Sequence, residues 1–124
     1  MIVEDESSVR ALVASILLGA GYRVTAARAV DDALRQIALN PEPVALVITD
    51  IVTPGGGGPK LARTLSDRPI PPRMLFISGY SNLTPDELVP YGRLLPKPFT
   101  PAQLLAAVEQ SLLEPSSEAT PPAP

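Results

Sequence analysis

The sequence predicts a three-layer α/β domain, with five parallel strands in a doubly wound sheet and helices on both faces. Three observations predict it. First, an unbroken apolar run, Val44-Ala45-Leu46-Val47-Ile48, passes through Thr49 into a single carboxylate, Asp50. A continuous run of this length reads as a strand buried on both faces, as parallel strands are. Second, strand-like and helix-like segments alternate five times, which implies a parallel sheet with right-handed crossovers. Third, the chemically useful polar residues fall just after strands, at the edge where open α/β sheets place ligands.

The bulk numbers fit one domain and exclude several functions. The chain has 124 residues, enough for one real core, and 45% of them are hydrophobic. Aromatics make up only 4%, so the core is built from Leu, Val, Ile and Ala. The net charge of −3 argues against a general nucleic-acid binder. Cysteine and histidine are both absent. That excludes disulfides, thiolate or imidazole metal sites and a Ser-His-Asp triad; the protein could accept a phosphoryl group but not donate one from histidine. No apolar run approaches the roughly 20 residues that span a bilayer. The acidic start, Glu4-Asp5-Glu6, does not suit a secretory signal. We expect a cytoplasmic protein with no membrane association and no direct contact with nucleic acid.

Each element has a local reason. Met1-Ile2-Val3 reads as the end of a strand. Against the usual 5–6 residues it is clipped, through a tight start or residues upstream. Ser7 or Ser8 is placed to cap a helix. Its apolar stripe is Val9, Leu12, Val13, Ile16 and Leu17, and Gly19 and Gly21 end it. Residues 22–27 form a weaker second strand, interrupted by Arg23 and Thr25. Residues 29–39 form the second helix, with Val30, Ala33, Leu34, Ile37 and Ala38 on one face. Asp31 and Asp32 sit in its first turn, where the helix dipole favours acids. Asn40-Pro41-Glu42-Pro43 stops it.

After the central strand and a Pro-Gly loop, a third helix is expected over 60–66. A proline-rich turn and a fourth strand over 73–78 follow. Thr84-Pro85-Asp86-Glu87 starts a fourth helix, cut short by Pro90 and Gly92. A brief fifth strand covers 93–96. Thr100-Pro101 opens the last helix, with Leu104, Leu105, Val108 and Leu112 facing inward. The globular domain is expected over 1–114, with a disordered Pro/Ser/Ala tail over 115–124.

The strand ends carry the chemistry. Glu4 and Asp5 follow the first strand, Asp50 ends the third, Ser78 ends the fourth and Lys97 follows the fifth. A parallel sheet brings all of these to one edge. Three carboxylates at close quarters repel one another, and a divalent cation relieves the repulsion. An all-oxygen set suits magnesium. A lysine and a hydroxyl opposite it complete a cage for a phosphoryl group, whose transfer needs mainly positioning and charge neutralisation. An aspartate can be the nucleophile, forming an acyl phosphate. Taken singly, Asp50 reads better as a turn-forming residue and Lys97 as a surface lysine; it is the set, in register, that reverses this. The glycine run Gly55 to Gly58 does not make a nucleotide phosphate loop, because Lys60 is not followed by Ser or Thr.

Ile2-Val3-Glu4-Asp5-Glu6, Asp50-Ile51-Val52-Thr53-Pro54, Ile77-Ser78-Gly79 and Lys97-Pro98-Phe99 together resemble the signature of two-component response regulator receiver domains. The resemblance covers residues 1 to about 113 and implies the flavodoxin-like, CheY-like form of the fold. It also implies roles. Asp50 is the phosphoacceptor. Glu4, Asp5, Asp50 and the backbone carbonyl of Val52 hold Mg2+. Ser78 is the switch hydroxyl and Lys97 contacts the phosphoryl group. The Lys97-Pro98 bond is expected to be cis, and Gly58 closes the loop after the acceptor.

The departures are Thr53 and Gly57 in place of the usual methionine and acid, a four-glycine loop expected to be unusually mobile, and Leu94 where the family has a switch aromatic. The stretch from Ser78 to Leu94 is short, which stunts the fourth helix. Tyr80 either gates the site or packs on the surface.

The implied function is a phosphorelay signalling domain, not an enzyme beyond its self-catalysed phosphotransfer and autodephosphorylation. Its partners would be a histidine kinase or histidine phosphotransfer protein and a downstream protein target. The face made by the fourth helix, fifth strand and last helix is where two copies could pair. No output domain is expected, so the domain is a stand-alone regulator, a phosphate sink or the receiver of a hybrid kinase. The alternatives are a pseudo-receiver scaffold that takes no phosphate and a phosphatase of the haloacid dehalogenase type. The latter needs an acid two residues after the nucleophile, where this chain has Val52.

Overall fold

The computed structural model describes residues 1–79 and 90–113. The order is β1 (Ile2–Val3), α1 (Ser7–Gly19), β2 (Ala26–Ala27), α2 (Val30–Leu39), β3 (Leu46–Asp50), α3 (Gly57–Ser66), β4 (Arg73–Ser78), β5 (Gly92–Pro96) and α4 (Pro101–Leu113). All neighbouring strands are parallel, and the sheet order is β2-β1-β3-β4-β5. This is the flavodoxin-like order, whose chain reversal beside the first strand opens a crevice at the carboxyl edge.

The sheet separates two cores. Val3, Val47 and Phe76 pack with Val30, Ile37, Leu61 and Leu65 of α2 and α3. Ile2, Ile48, Leu75 and Ile77 pack with Val13, Leu17, Leu104 and Val108 of α1 and α4. Alternate residues of each strand therefore supply opposite cores, and the central strands read as unbroken apolar runs because both of their faces are buried.

Several boundaries differ from the sequence reading. Neither Ser7 nor Ser8 caps α1; the cap position is Glu6, without a side-chain capping bond. Ser8 instead donates its hydroxyl to Glu6 Oε1 at 3.1 Å. Leu12 belongs to the expected stripe but is exposed, as is Ala38 of the second. The second strand shrinks to Ala26–Ala27, because β1 offers it only Ile2 and Val3 as partners. The third helix begins three residues earlier than expected, at Gly57, with Gly56 as its cap at φ 111°.

The last helix starts as expected. The Thr100 hydroxyl accepts from the Gln103 amide at 3.1 Å, and the Gln103 side chain accepts from the Thr100 amide at 2.8 Å; each group satisfies a donor at the exposed helix start. The expected fourth helix, Tyr80 and the tail beyond residue 113 lie outside the described residues. Among the described residues, no helix is long and apolar enough to cross a membrane.

The glycine loop is shaped by need. Gly55, Gly56 and Gly57 all have positive φ, a region that other residues enter only at a cost. A Cβ on Gly57 would run into the carbonyl oxygen of Ile51, which already accepts the Gly58 amide at 2.9 Å. Gly57→Ala is expected to destabilise the domain by about 2 kcal/mol or more through strain and steric clash. Urea unfolding followed by circular dichroism measures it.

The amino terminus is built into the sheet. The Met1 ammonium donates to the Leu46 carbonyl at 2.8 Å, and burial pushes its pKa down to about 6 from 8.0. A charged form disfavoured by folding makes the protein less stable as pH falls through the window between those values. The chain has no histidine, so little else titrates there. Stability is expected to drop by on the order of 2 kcal/mol between pH 8 and pH 6. Urea midpoints across that range check it, and Nα-acetylation should flatten the slope.

Candidate functional site

The site lies at the carboxyl edge of β1, β3, β4 and β5. The sheet register places it: Val3 pairs with Thr49, Asp50 with Ile77 and Ser78 with Pro96. Glu4 thus comes level with Asp50, and Ser78 stands one step beyond, beside the strand that leads into Lys97. Backbone bonds hold these ends. The Glu4 amide donates to Ala27 at 3.0 Å, the Ile51 amide to Ile77 at 3.0 Å and the Lys97 amide to Ser78 at 2.8 Å. The Lys97-Pro98 bond is cis, as the resemblance implies.

Asp50 is held at both oxygens. The Val52 amide donates to Oδ1 at 3.0 Å, and the Lys97 ammonium donates to Oδ2 at 2.9 Å. The same ammonium lies 4.0 Å from Glu4 Oε1. Burial opposes the Lys97 charge, but the hydrogen bond and charge of Asp50, with Glu4 and Glu6 behind, outweigh it and raise its pKa.

Glu4 is only 5% exposed. Burial raises its pKa first. The Glu6 amide, donating to Oε2 at 3.1 Å, pulls it down; the neighbouring Asp5 and Asp50 push it up; Lys97 pulls it down; the net shift is upward. A buried carboxylate disfavoured as an anion beside two other acids is a site short of positive charge.

Glu4, Asp50 and Lys97 therefore meet directly, and Asp5 stands exposed beside Glu4. Ser78 is buried at the end of β4. Val52 is 81% exposed and reaches Asp50 through its amide. Among the described residues no three His, Cys, Asp or Glu side chains are gathered closely enough to ligate one ion as they stand. The cation between Asp50 and Glu4 is Lys97. The donor chemistry nevertheless suits a hard cation, since every candidate ligand is an oxygen.

Two residues support the site in ways the sequence reading does not anticipate: Arg10, which it does not name, and Thr53, which it names only as a departure. Arg10 donates to the Glu4 carbonyl at 2.8 Å, tying the acidic turn to α1. The Thr53 hydroxyl donates to the Asp50 carbonyl at 2.8 Å and fixes the loop behind the acceptor. A hydroxyl three residues after a strand-end aspartate is a recognisable turn signal; the Arg10 contact has no such local pattern.

Residues 1–109 match the family described as the response regulator receiver domain. The chain is 32% identical over 116 residues to the response regulator receiver protein CpdR of Brucella abortus (strain 2308), covering 91% of this chain and 95% of CpdR. It is 34% identical over 118 residues to the sensor kinase CckA of the same organism, covering 90% of this chain but 12% of CckA. The crystal structure of the receiver domain from the hybrid histidine kinase CckA is similar with a TM-score of 0.75 and 32% identity, over 90% of this chain and 95% of that one. The receiver domain of NtrX from Brucella abortus gives a TM-score of 0.76 and 28% identity over the same shares. With the sheet order and the strand-end residues already described, these likenesses settle the family: the chain belongs to the response regulator receiver domains of two-component systems and has their CheY-like fold.

Proposed function

We propose that Asp50 accepts a phosphoryl group from a partner histidine kinase or histidine phosphotransfer protein. The observation that carries this reading is the Asp50 carboxylate at the crevice, with the Lys97 ammonium 2.9 Å away and the buried Glu4 beside them. An Asp50 oxygen attacks the phosphorus, the bond from phosphorus to the donor's leaving atom breaks, and an acyl phosphate forms. Glu4, Asp5, Asp50 and the Val52 carbonyl would hold Mg2+, which when bound neutralises charge on the phosphoryl oxygens. Lys97 and the Ser78 hydroxyl hold phosphoryl oxygens on the other side. The acyl phosphate then biases a two-state equilibrium that a downstream protein reads, through the surface that includes β5 and α4, where two copies could also pair. The domain spans 1–114, sits in the cytoplasm and is not an enzyme beyond its own phosphotransfer and autodephosphorylation.

Beryllofluoride, a phosphoryl mimic, tests the reading. With magnesium it is expected to shift the backbone amide resonances of Val52, Ser78 and Lys97, and to leave Asp50→Asn unchanged. No magnesium-dependent shift in the wild type would contradict it. A second reading, a scaffold that takes no phosphate, draws on Leu94 at the switch position and on Lys97 already closed onto Asp50. It predicts that Asp50→Asn keeps full affinity for the partner.

A further inference from the structure

β1 leaves the sheet just short of the acceptor's carbonyl. The Ile48 amide donates to the Met1 carbonyl at 2.8 Å, so Ile48 turns its backbone groups toward β1, and Asp50, two residues on, does the same. In the register that pairs Val3 with Thr49, the next donor for the Asp50 carbonyl is the Asp5 amide. β1 ends at Val3, however, and the chain turns away through Glu4 and Asp5 into α1. Two hydroxyls serve the carbonyl in its place. Thr53 donates to it at 2.8 Å and Thr49 at 3.0 Å, filling both of its lone-pair positions. Both threonines are buried.

We propose that Thr53 is a positioning residue for the cation site: its hydroxyl closes the loop onto Asp50, aims the Val52 carbonyl and thereby sets the affinity for magnesium. The inference rests on the reading of Glu4, Asp5, Asp50 and the Val52 carbonyl as the magnesium ligands.

The Val52 side chain is exposed, so packing does not orient this residue. Hydrogen bonds do. The Val52 amide donates to Asp50 Oδ1 at 3.0 Å, and the Thr53 hydroxyl donates to the Asp50 carbonyl. The peptide that bears the Val52 carbonyl lies between these two bonds. Its neighbours are fixed as well. The Ile51 amide donates to Ile77 at 3.0 Å, and the Pro54 carbonyl accepts from the Val30 amide at 3.0 Å. The remaining freedom is rotation of the Val52–Thr53 peptide, and the Thr53 hydroxyl restrains it. Beyond Pro54 the loop is glycine, which supplies no stiffness of its own. Methionine, usual at this position in the family, has no donor to offer the carbonyl. Groups that hold a metal ligand in place commonly matter to affinity nearly as much as the ligand itself.

Magnesium titrations followed through the backbone amide resonances of Asp5 and Val52 test the proposal, with urea midpoints confirming that each variant is folded. Thr53→Val and Thr53→Ala both lose the hydroxyl; the first keeps the branched shape and the second does not. Each is expected to bind magnesium about tenfold more weakly than the wild type. Thr53→Ser keeps the donor and is expected to stay within about twofold of the wild type. Wild-type affinity in either variant without the hydroxyl would overturn the proposal and leave the magnesium site standing. So would a loss in Thr53→Ser as large as in Thr53→Val, which would assign the effect to the methyl group. A wild type that binds no magnesium would remove the site itself, and this role of Thr53 with it.

Discussion

Lys97→Met is expected to reduce Asp50 phosphorylation from a small-molecule donor such as acetyl phosphate by about 10²–10³-fold, the usual loss when one preorganised donor is removed from developing charge. The side chain is similar in length but carries no charge, so packing of the stem is largely retained. The same substitution has a second, separable consequence. Lys97 is the cation facing both Asp50, at 2.9 Å, and Glu4, at 4.0 Å. Without it two partly buried carboxylates face each other uncompensated, at a cost of about 1–3 kcal/mol near neutral pH. Magnesium is expected to restore more stability to Lys97→Met than it gives the wild type, because the ion then supplies the absent positive charge. Phosphoryl incorporation and urea midpoints, each with and without magnesium, separate the two effects. A variant that loses neither would show that the ammonium is a bystander.

Phe76→Ala is the substitution expected to cost the most stability. Phe76 is fully buried in the middle of β4 and is the largest fully buried side chain among the described residues. It packs with Val47 and with Leu61 and Leu65 of α3, and a Cβ placed on Gly58 would lie 3.2 Å from its ring. The ring thus sets how closely the α3 start approaches the strand that carries Asp50. Truncation removes the burial and leaves a cavity, for about 3–5 kcal/mol. The thermal midpoint should fall by more than about 10 °C. Phe76→Leu, which keeps most of the volume, should cost far less. Similar losses for the two would mean that the site collapses freely around the gap.

The fold was legible because its signals are redundant. Residues 44–50 announce a doubly buried strand by composition, which the structure keeps over Leu46–Asp50 and not over Val44 and the exposed Ala45, and Thr100-Pro101 announces a helix start. Asp50, Glu4 and Lys97 were legible because a parallel sheet must deliver successive strand ends to one edge; the register then brings them into contact. What was not legible depends on pairing. The second strand is two residues long because β1 is, a fact about a neighbour rather than about residues 22–27. The early start of α3 comes from Gly56 and Gly57 taking positive φ, which four consecutive glycines permit without dictating where. Arg10 reaches the Glu4 carbonyl only because α1 packs back over the turn that precedes it.

The central claim is that Asp50 is the residue phosphorylated. Borohydride reduction after treatment with acetyl phosphate and magnesium converts an aspartyl phosphate to homoserine, and peptide mass spectrometry locates the change. The account predicts conversion at Asp50, lost when magnesium is chelated and absent in Asp50→Asn. Conversion at Glu4 or Asp5 instead, or none at any carboxylate while the protein remains folded, would contradict it.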